Sequence, residues 1–201
     1  MNLPNTLTLV RMFLVPLLVV VLLTEFEGPR VVGVSKELFA AAIFGLASIT
    51  DWLDGFLARR RRQITWFGQV MDPIADKLLT SAAFVSLVQL GLAPAWMVTV
   101  IIGREIAITG LRSVAHAKGI TIVASPLGKG KMASQVTAIL LLLLGAAPLP
   151  WLAPAGRAAL WVVMAMALVS AVDYYRRFQT LANARVTDVT IARARSGRRA
   201  S

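Results

Sequence analysis

Four of the ten acidic residues in this 201-residue chain fall within one short segment. Asp51 and Asp54 are three positions apart, and Asp72 and Asp76 are four positions apart. On a helix, either spacing places both carboxylates of a pair on one face. Carboxylates that converge on a partly dehydrated site repel one another, and bound divalent cations relieve this repulsion. The spacing therefore predicts a site for two divalent cations.

The surrounding residues indicate which metal and which ligand such a site would take. All-carboxylate ligation favours Mg²⁺ or Mn²⁺ over zinc, and the chain contains one histidine and no cysteine. Gly55 and Ala58 share the face of Asp51 and Asp54, so a bulky ligand could approach the helix backbone closely. Two hard cations beside basic residues suit a diphosphate, and one carboxylate would remain to deprotonate a nucleophile.

A simpler interpretation exists for one of the four carboxylates. Asp72 could act only as the N-terminal cap of a helix, because Pro73 suits a first helical turn. That interpretation does not account for the other three aspartates.

The elements that must position these residues are apolar. Hydrophobic residues make up 57% of the chain and its mean hydropathy is +0.72, whereas charged residues make up 15%. This composition excludes a disordered protein, and the lack of cysteine excludes a disulfide-stapled module. It predicts an all-α polytopic membrane protein with six transmembrane helices around a cytoplasm-facing polar cavity. The six apolar runs are Met12–Leu23, Leu38–Leu57, Ile74–Leu90, Trp96–Ala117, Val136–Ala147 and Ala158–Val172.

The net charge of +11 also has a topological explanation. With six spans, every Lys and Arg except Arg30, Lys36 and Arg157 falls on the side that holds both termini. The positive-inside rule makes that side the cytoplasm, where anionic lipids, not nucleic acid, are the expected partner. The predicted domains are a membrane domain over 1–180 and a basic cytoplasmic tail over 181–201, mobile from Arg185.

The fourth run carries a polar stripe that could line the cavity: Arg104, Glu105, Thr109, Arg112 and His116. An anionic acceptor needs cations, so the predicted phosphate ligands are Arg104, Arg112, Lys129 and Lys131. Glu105 could orient Arg104. The alternative for the lysines is that they extend to lipid phosphates. Four aromatic residues are predicted to form interfacial belts: Trp151, Trp161, Tyr174 and Tyr175.

The central segment resembles the signature of the CDP-alcohol phosphatidyltransferases. All fixed positions of that signature are present: Asp51, Asp54, Gly55, Ala58, Arg59, Gly68, Asp72 and Asp76. Flanking residues resemble the bacterial members that use glycerol 3-phosphate, notably Asn2–Asn5, Gly103–Ile106 and Gly128–Lys131. The residues Met132-Ala133-Ser134 depart from this subgroup, in which a threonine is expected after the second lysine.

The resemblance implies a bacterial inner-membrane enzyme, usually a homodimer, with two Mg²⁺ or Mn²⁺ ions per active site. Its reaction would join CDP-diacylglycerol and sn-glycerol 3-phosphate to give phosphatidylglycerophosphate and CMP. By position, the metal ligands would be Asp51, Asp54, Asp72 and Asp76, with Asp76 also the candidate catalytic base. The nucleotide contacts would be Asn5, Thr8, Arg11, Gly55, Ala58, Arg59 and Gly68.

Other classes of membrane protein share some of these features. The aspartates alone do not separate a glycerol 3-phosphate acceptor from the acceptors of a cardiolipin synthase or a phosphatidylinositol phosphate synthase. A membrane prenyltransferase also uses paired aspartates, but it normally needs more than six helices. A transporter would show repeats or broken helices near the bilayer midplane, whereas these acids cluster beside Arg59–Arg62 at one edge.

Overall fold

The computed structural model describes the backbone of residues 3–24, 30–31, 34–61, 66–117, 127–147 and 149–199, and the side chains of 9–24, 34–50, 74–115, 130–147 and 149–179. The helices in these ranges are α1 (Leu3–Leu23), α2 (Lys36–Arg61), α3 (Trp66–Gln89), α4 (Ala95–Ala117), α5 (Leu127–Ala146) and α6 (Ala153–Arg199). A 3₁₀ turn, Pro150–Leu152, precedes α6. Strands β1 (Arg30–Val31) and β2 (Val34–Ser35) form an antiparallel ribbon before α2.

The described ranges contain six α-helices, which agrees with the predicted number of helices, but three details differ from the prediction. The short ribbon was not foreseen. The backbone of α6 remains helical through Arg199, where a mobile strip from Arg185 was expected; this segment is rich in arginine, which is a good helix former. Helix α3 begins at Trp66, so Pro73 lies beyond its first turn and Asp72 is not its cap. An interior proline removes one helical hydrogen bond and crowds the preceding turn, but helices of membrane proteins tolerate it when neighbouring groups satisfy the freed backbone.

The turn from α3 to α4 shows how the sequence ends a helix. Gly91 has a φ of 71°, a left-handed conformation that glycine adopts without a Cβ clash. The Leu92 N–H donates to the Leu87 carbonyl at 2.9 Å, and the Gly91 N–H donates to the Val88 carbonyl at 3.0 Å. These two bonds form a Schellman motif. Pro94 follows and α4 begins, so α3 and α4 are consecutive antiparallel helices.

The core lies between the helices, and α5 packs most extensively on α6. Two glycines let these helices approach closely. A Cβ built on Gly145 would lie 2.7 Å from the Ala153 backbone nitrogen, and one on Gly156 would lie 3.0 Å from that of Leu142. The largest fully buried side chains include Phe44 on α2, Phe84 on α3 and others on the remaining helices: Leu18, Leu22, Leu87, Met97, Ile101, Ile139, Leu143, Leu160 and Val163.

The outer surface is apolar, while several polar side chains point inward. Phe13 is 76% exposed and Ile106 is 67% exposed, whereas Lys131 and Gln135 are each 6% exposed. Among the described residues, one helical segment is long and apolar enough to cross a membrane, Pro150–Gln179, with a mean hydropathy of 1.8. Two shorter apolar helical segments are Leu9–Leu23 and Gly130–Ala146.

Candidate active site

The backbone places the four predicted metal ligands on two helices. Asp51 and Asp54 lie on α2, and Asp72 and Asp76 lie on α3, so both pairs have the helical spacing that the sequence predicts. Asp76 has a described side chain, which is half-buried. The side chains of the other predicted residues in this region lie outside the described part: Asp51, Asp54, Gly55, Ala58, Arg59, Gly68 and Asp72.

Next to Asp76, Lys77 connects α3 to the polar stripe of α4. The Lys77 Nζ donates a hydrogen bond of 2.6 Å to the Thr109 Oγ1. The Thr109 hydroxyl donates in turn to the Glu105 carbonyl at 2.7 Å. Its proton is therefore used within α4, and an oxygen lone pair is left for the lysine. This arrangement fixes the Asp76 segment against α4.

Glu105 pairs with Arg104 on its own helix and connects α4 to α5 through Lys131. Its Oε1 accepts a hydrogen bond of 2.9 Å from the Arg104 Nη1 and also forms an ion pair with the Lys131 Nζ on α5. The side chains are largely buried, with 13% of Arg104, 21% of Glu105 and 7% of Lys131 exposed. The contact expected between Glu105 and Arg104 is present. The sequence did not predict the pairing of Glu105 with Lys131.

Helix α6 contributes the remaining contacts of the stripe. The Arg104 Nη2 donates to the Ser170 Oγ at 2.5 Å. The Arg112 guanidinium lies over the Tyr174 ring, with its carbon 5.6 Å from the ring centroid. Tyr174 is 8% exposed, so its prediction as an interfacial belt residue is wrong: the cation and its own helix face bury the ring. Its neighbour Tyr175 is exposed.

These contacts bring four cations and two carboxylates into one cluster, which we call the cationic cluster: Asp76, Lys77, Arg104, Glu105, Arg112 and Lys131. The Lys131 ammonium is within electrostatic range of Asp76, Arg104 and Lys77. Arg112 is similarly within range of Arg104 and Lys77. The formal charge of the cluster is +2, from four positive and two negative groups. The cluster can therefore attract an anion beside a carboxylate that can accept a proton.

The opposite face of α4 supports this orientation of the stripe. Ile106, Ala107, Gly110 and Val114 are exposed, as the sequence pattern predicts for residues that face away from the cavity. Arg104, Glu105 and Thr109 are half-buried on the inner side. The inner side of α4 therefore carries polar residues of the stripe beside buried apolar ones such as Ile108 and Ala115.

Four other predicted ligands lie on helices α1 and α5. Arg11 is buried on α1, which packs against the two aspartate-bearing helices α2 and α3. Asn5 and Thr8 lie on the α1 backbone and Lys129 on that of α5, but their side chains lie outside the described residues, as does that of His116.

Sequence reasoning did not select Lys77, Ser170 or Tyr174 as site residues. A signal for the last two was available in α6. The buried positions of α6 recur every three or four residues: Gly156, Leu160, Val163, Ala167, Ser170 and Tyr174. The first four are apolar, and the last two are polar. A hydroxyl and a phenol that continue a buried stripe are expected to face polar partners.

A cavity of about 320 Å³ lies elsewhere, at the end of the bundle formed by the α3–α4 turn and the start of α6. It is lined mostly by apolar residues, and Arg157 is its charged member. None of the residues of the cationic cluster lines it, so the cavity is not part of this site.

Comparison with known proteins shows the family of this chain. The family model for CDP-alcohol phosphatidyltransferase matches residues 1–174. The chain therefore belongs to the CDP-alcohol phosphatidyltransferase family.

Three bacterial relatives are each named CDP-diacylglycerol–glycerol-3-phosphate 3-phosphatidyltransferase. The protein of Bacillus subtilis (strain 168) is 44% identical over 182 residues, which cover 88% of this chain and 94% of the relative. That of Salmonella choleraesuis (strain SC-B67) is 38% identical over 179 residues, which cover 86% of this chain and 92% of the relative. That of Rickettsia bellii (strain RML369-C) is 30% identical over 177 residues, covering 87% and 94%.

Proposed function

We propose that this protein transfers the phosphatidyl group of CDP-diacylglycerol to sn-glycerol 3-phosphate and releases phosphatidylglycerophosphate and CMP. The names of the relatives support both substrates, and their identity extends over most of the chain. The observation that carries the proposal is the position of Asp76 among the four cations of the cationic cluster, next to Lys77, which joins α3 to α4. A proton acceptor next to an anion site suits an acceptor that has both a hydroxyl group and a phosphate.

The phosphate of the acceptor would bind among Arg104, Arg112 and Lys131, with Lys129 two residues earlier in the first turn of α5. Arginine grips a phosphate through two parallel N–H donors, whereas lysine supplies a mobile point charge. Burial of Arg104 and Lys131 strengthens their attraction to an anion, because water screens them less. Glu105 would hold these two cations in place before the acceptor arrives.

The divalent metals would be held by Asp51, Asp54, Asp72 and Asp76. The fit rests on the donor set, which contains only carboxylate oxygens and suits Mg²⁺ or Mn²⁺. When bound, two such ions supply charge neutralisation of the diphosphate and of the departing CMP phosphate. Asp76 is half-buried, so it is both accessible to a ligand and partly shielded from water.

In the reaction, Asp76 would accept the proton of the acceptor hydroxyl. The hydroxyl oxygen then bonds to the phosphorus that carries diacylglycerol, and the bond from this phosphorus to the CMP oxygen breaks. Gly55 and Ala58 would leave room for the cytidine. The nucleotide would be held by Arg59, Gly68, Asn5, Thr8 and Arg11, the last of which is buried on the helix that packs against α2 and α3.

The same proposal includes a location in the bacterial inner membrane. Six transmembrane spans, with both termini and the active site on the cytoplasmic side, account for the apolar exterior and for the distribution of Lys and Arg. A homodimer is expected of the family. Residues 181–201 would form a basic cytoplasmic tail near anionic lipid headgroups.

A panel of acceptors tests the proposed substrate. The purified protein in detergent receives CDP-diacylglycerol, Mg²⁺ and one labelled acceptor at a time: glycerol 3-phosphate, inositol phosphate or phosphatidylglycerol. We expect CMP release with glycerol 3-phosphate alone. Release only with inositol phosphate or phosphatidylglycerol would assign the enzyme to the phosphatidylinositol phosphate synthase or the cardiolipin synthase type. No release with any acceptor from folded protein would contradict the transferase function.

A further inference from the structure

The cationic cluster contains two arginines whose side chains converge. Arg104 and Arg112 are eight residues apart on α4, which corresponds to about 12 Å along the helix axis. Their contacts on α6, Ser170 and Tyr174, are four residues apart, or about 6 Å. The two guanidinium groups are therefore drawn toward each other, and each lies within electrostatic range of the other. Like charges held in this way repel unless an anion lies between them.

Ser170 fixes the orientation of Arg104. Its hydroxyl donates to the Ala167 carbonyl at 3.2 Å, which leaves the oxygen as an acceptor for the Arg104 Nη2. The Arg104 Nη1 also donates to the Glu105 carboxylate, so the Arg104 guanidinium is held from two sides. Its Nε is buried and has no hydrogen-bond partner among the described residues. A buried donor of this kind normally meets an acceptor, and a bound phosphate would provide one.

Tyr174 supports Arg112 in a different way. A guanidinium over the face of an aromatic ring is held by the ring electrons, and this leaves its N–H groups available for other acceptors. Neither a hydrogen bond nor an ion pair holds Arg112 within the described part of the chain. The ring is buried, so its position is fixed by the packing of α6.

We propose that Ser170 and Tyr174 are positioning residues that set Arg104 and Arg112 as a clamp for the phosphate of the acceptor. The inference rests on the proposed function, since that function supplies the phosphate. Helix α4 provides the donors, and their contacts on α6 draw them together. Ser170 and Tyr174 act through the arginines and do not touch the reacting atoms.

Steady-state kinetics of CMP release test this role. Ser170→Ala and Tyr174→Leu are compared with two matched controls, Thr99→Ala and Tyr175→Leu. The Thr99 hydroxyl bonds only to its own helix and is exposed, and Tyr175 is the exposed neighbour of Tyr174. Each test variant should raise the KM for glycerol 3-phosphate roughly tenfold. The kcat and the KM for CDP-diacylglycerol should stay within about twofold of the wild type, and both controls should match the wild type.

Conservative variants separate positioning from packing. Ser170→Thr keeps the acceptor oxygen and Tyr174→Phe keeps the ring, so both should retain the KM of the wild type. Failure of Tyr174→Phe to do so would overturn the role of the ring. Equal rises in both KM values, or a similar effect of Tyr175→Leu, would also overturn the proposal. If Tyr174→Leu does not fold, Tyr174→Met replaces it, because methionine retains much of the volume without a ring.

A binding measurement keeps this inference separate from the proposed function. Inorganic phosphate should raise the Tm of the wild type and of Tyr174→Phe in detergent, and it should raise that of Tyr174→Leu much less. This result does not depend on turnover. If the wild type releases CMP only with inositol phosphate, the proposed acceptor is wrong. The clamp is then supported if the variants raise the KM for inositol phosphate in the same pattern. Equal phosphate stabilisation of all three proteins would contradict the clamp, whichever acceptor is used.

Discussion

The Lys77 Nζ lies 2.6 Å from the Thr109 Oγ1, and this hydrogen bond joins the helix that carries Asp76 to the helix that carries the two acceptor arginines. The two halves of the proposed reaction, proton removal and phosphate binding, therefore depend on the contact between α3 and α4. Because α3 and α4 are joined by a tight turn at their far end, this bond fixes the end where the chemistry would occur.

Loss of the bond between Lys77 and Thr109 should lower catalysis without unfolding the protein. Thr109→Val removes the oxygen that holds Lys77, and we expect kcat/KM to fall roughly three- to tenfold. Thr109→Ser keeps the oxygen and should retain the activity. Ser113→Ala is the matched control, because the exposed Ser113 hydroxyl bonds only to the Thr109 carbonyl. An equal loss in Ser113→Ala would show that the effect is not specific to Lys77.

Removal of Glu105 should be more destabilising than removal of its partner Lys131. Glu105→Leu leaves two largely buried cations without their carboxylate, and breaking such a pair costs about 3 kcal/mol. Lys131→Met leaves Glu105 paired with Arg104, so its cost should be smaller. Thermal unfolding in detergent compares the two variants. A Tm for Glu105→Leu equal to or above that of Lys131→Met would contradict the shared ion pair.

The close approach of α5 and α6 predicts that Gly145 does not accept a larger residue. A Cβ at this position would lie 2.7 Å from the Ala153 nitrogen, so Gly145→Ala should destabilise the protein by about 1–3 kcal/mol. Gly110→Ala is the control on an exposed part of α4, where no atom lies within 4 Å. It should be neutral or slightly stabilising, since alanine favours a helix. Similar Tm values for both variants would contradict the close packing.

The helices themselves were predictable, since their apolar runs are long and separated by glycine and proline. The ends of the helices were less predictable. Asp51 and Asp54 lie within the second apolar run, but α2 continues beyond that run to Arg61, because arginine favours a helix. The alternative in which Asp72 caps α3 is wrong, because the helix begins at Trp66 and continues through Pro73.

In the site, the polar stripe of α4 was predictable from helical periodicity, but its partners were not. A stripe shows which residues of one helix share a face and does not show which helix covers them. The contact of Tyr174 with Arg112 depends on how α6 packs against α4, and the contact of Lys131 with Glu105 depends on where α5 lies beside α6. Tyr174 was assigned to the surface for this reason.

Metal removal should abolish the activity. If Asp51, Asp54, Asp72 and Asp76 share two divalent ions, chelation should reduce CMP release at least about a hundredfold. Mg²⁺ or Mn²⁺ should restore it, and zinc should not, because the donor set lacks histidine and cysteine. Initial rates after chelation and addition of each metal provide the measurement. Full activity in the chelated protein would contradict the metal site.

Replacement of one carboxylate tests the central claim most directly. Asp76→Asn is compared with Asp173→Asn, which changes a carboxylate on α6 that pairs with Arg177 at 3.0 Å, outside the cationic cluster. CMP release from CDP-diacylglycerol and glycerol 3-phosphate should fall at least about a hundredfold in Asp76→Asn and remain unchanged in Asp173→Asn. Wild-type rates in a folded Asp76→Asn protein would contradict the assignment of this site to phosphatidyl transfer.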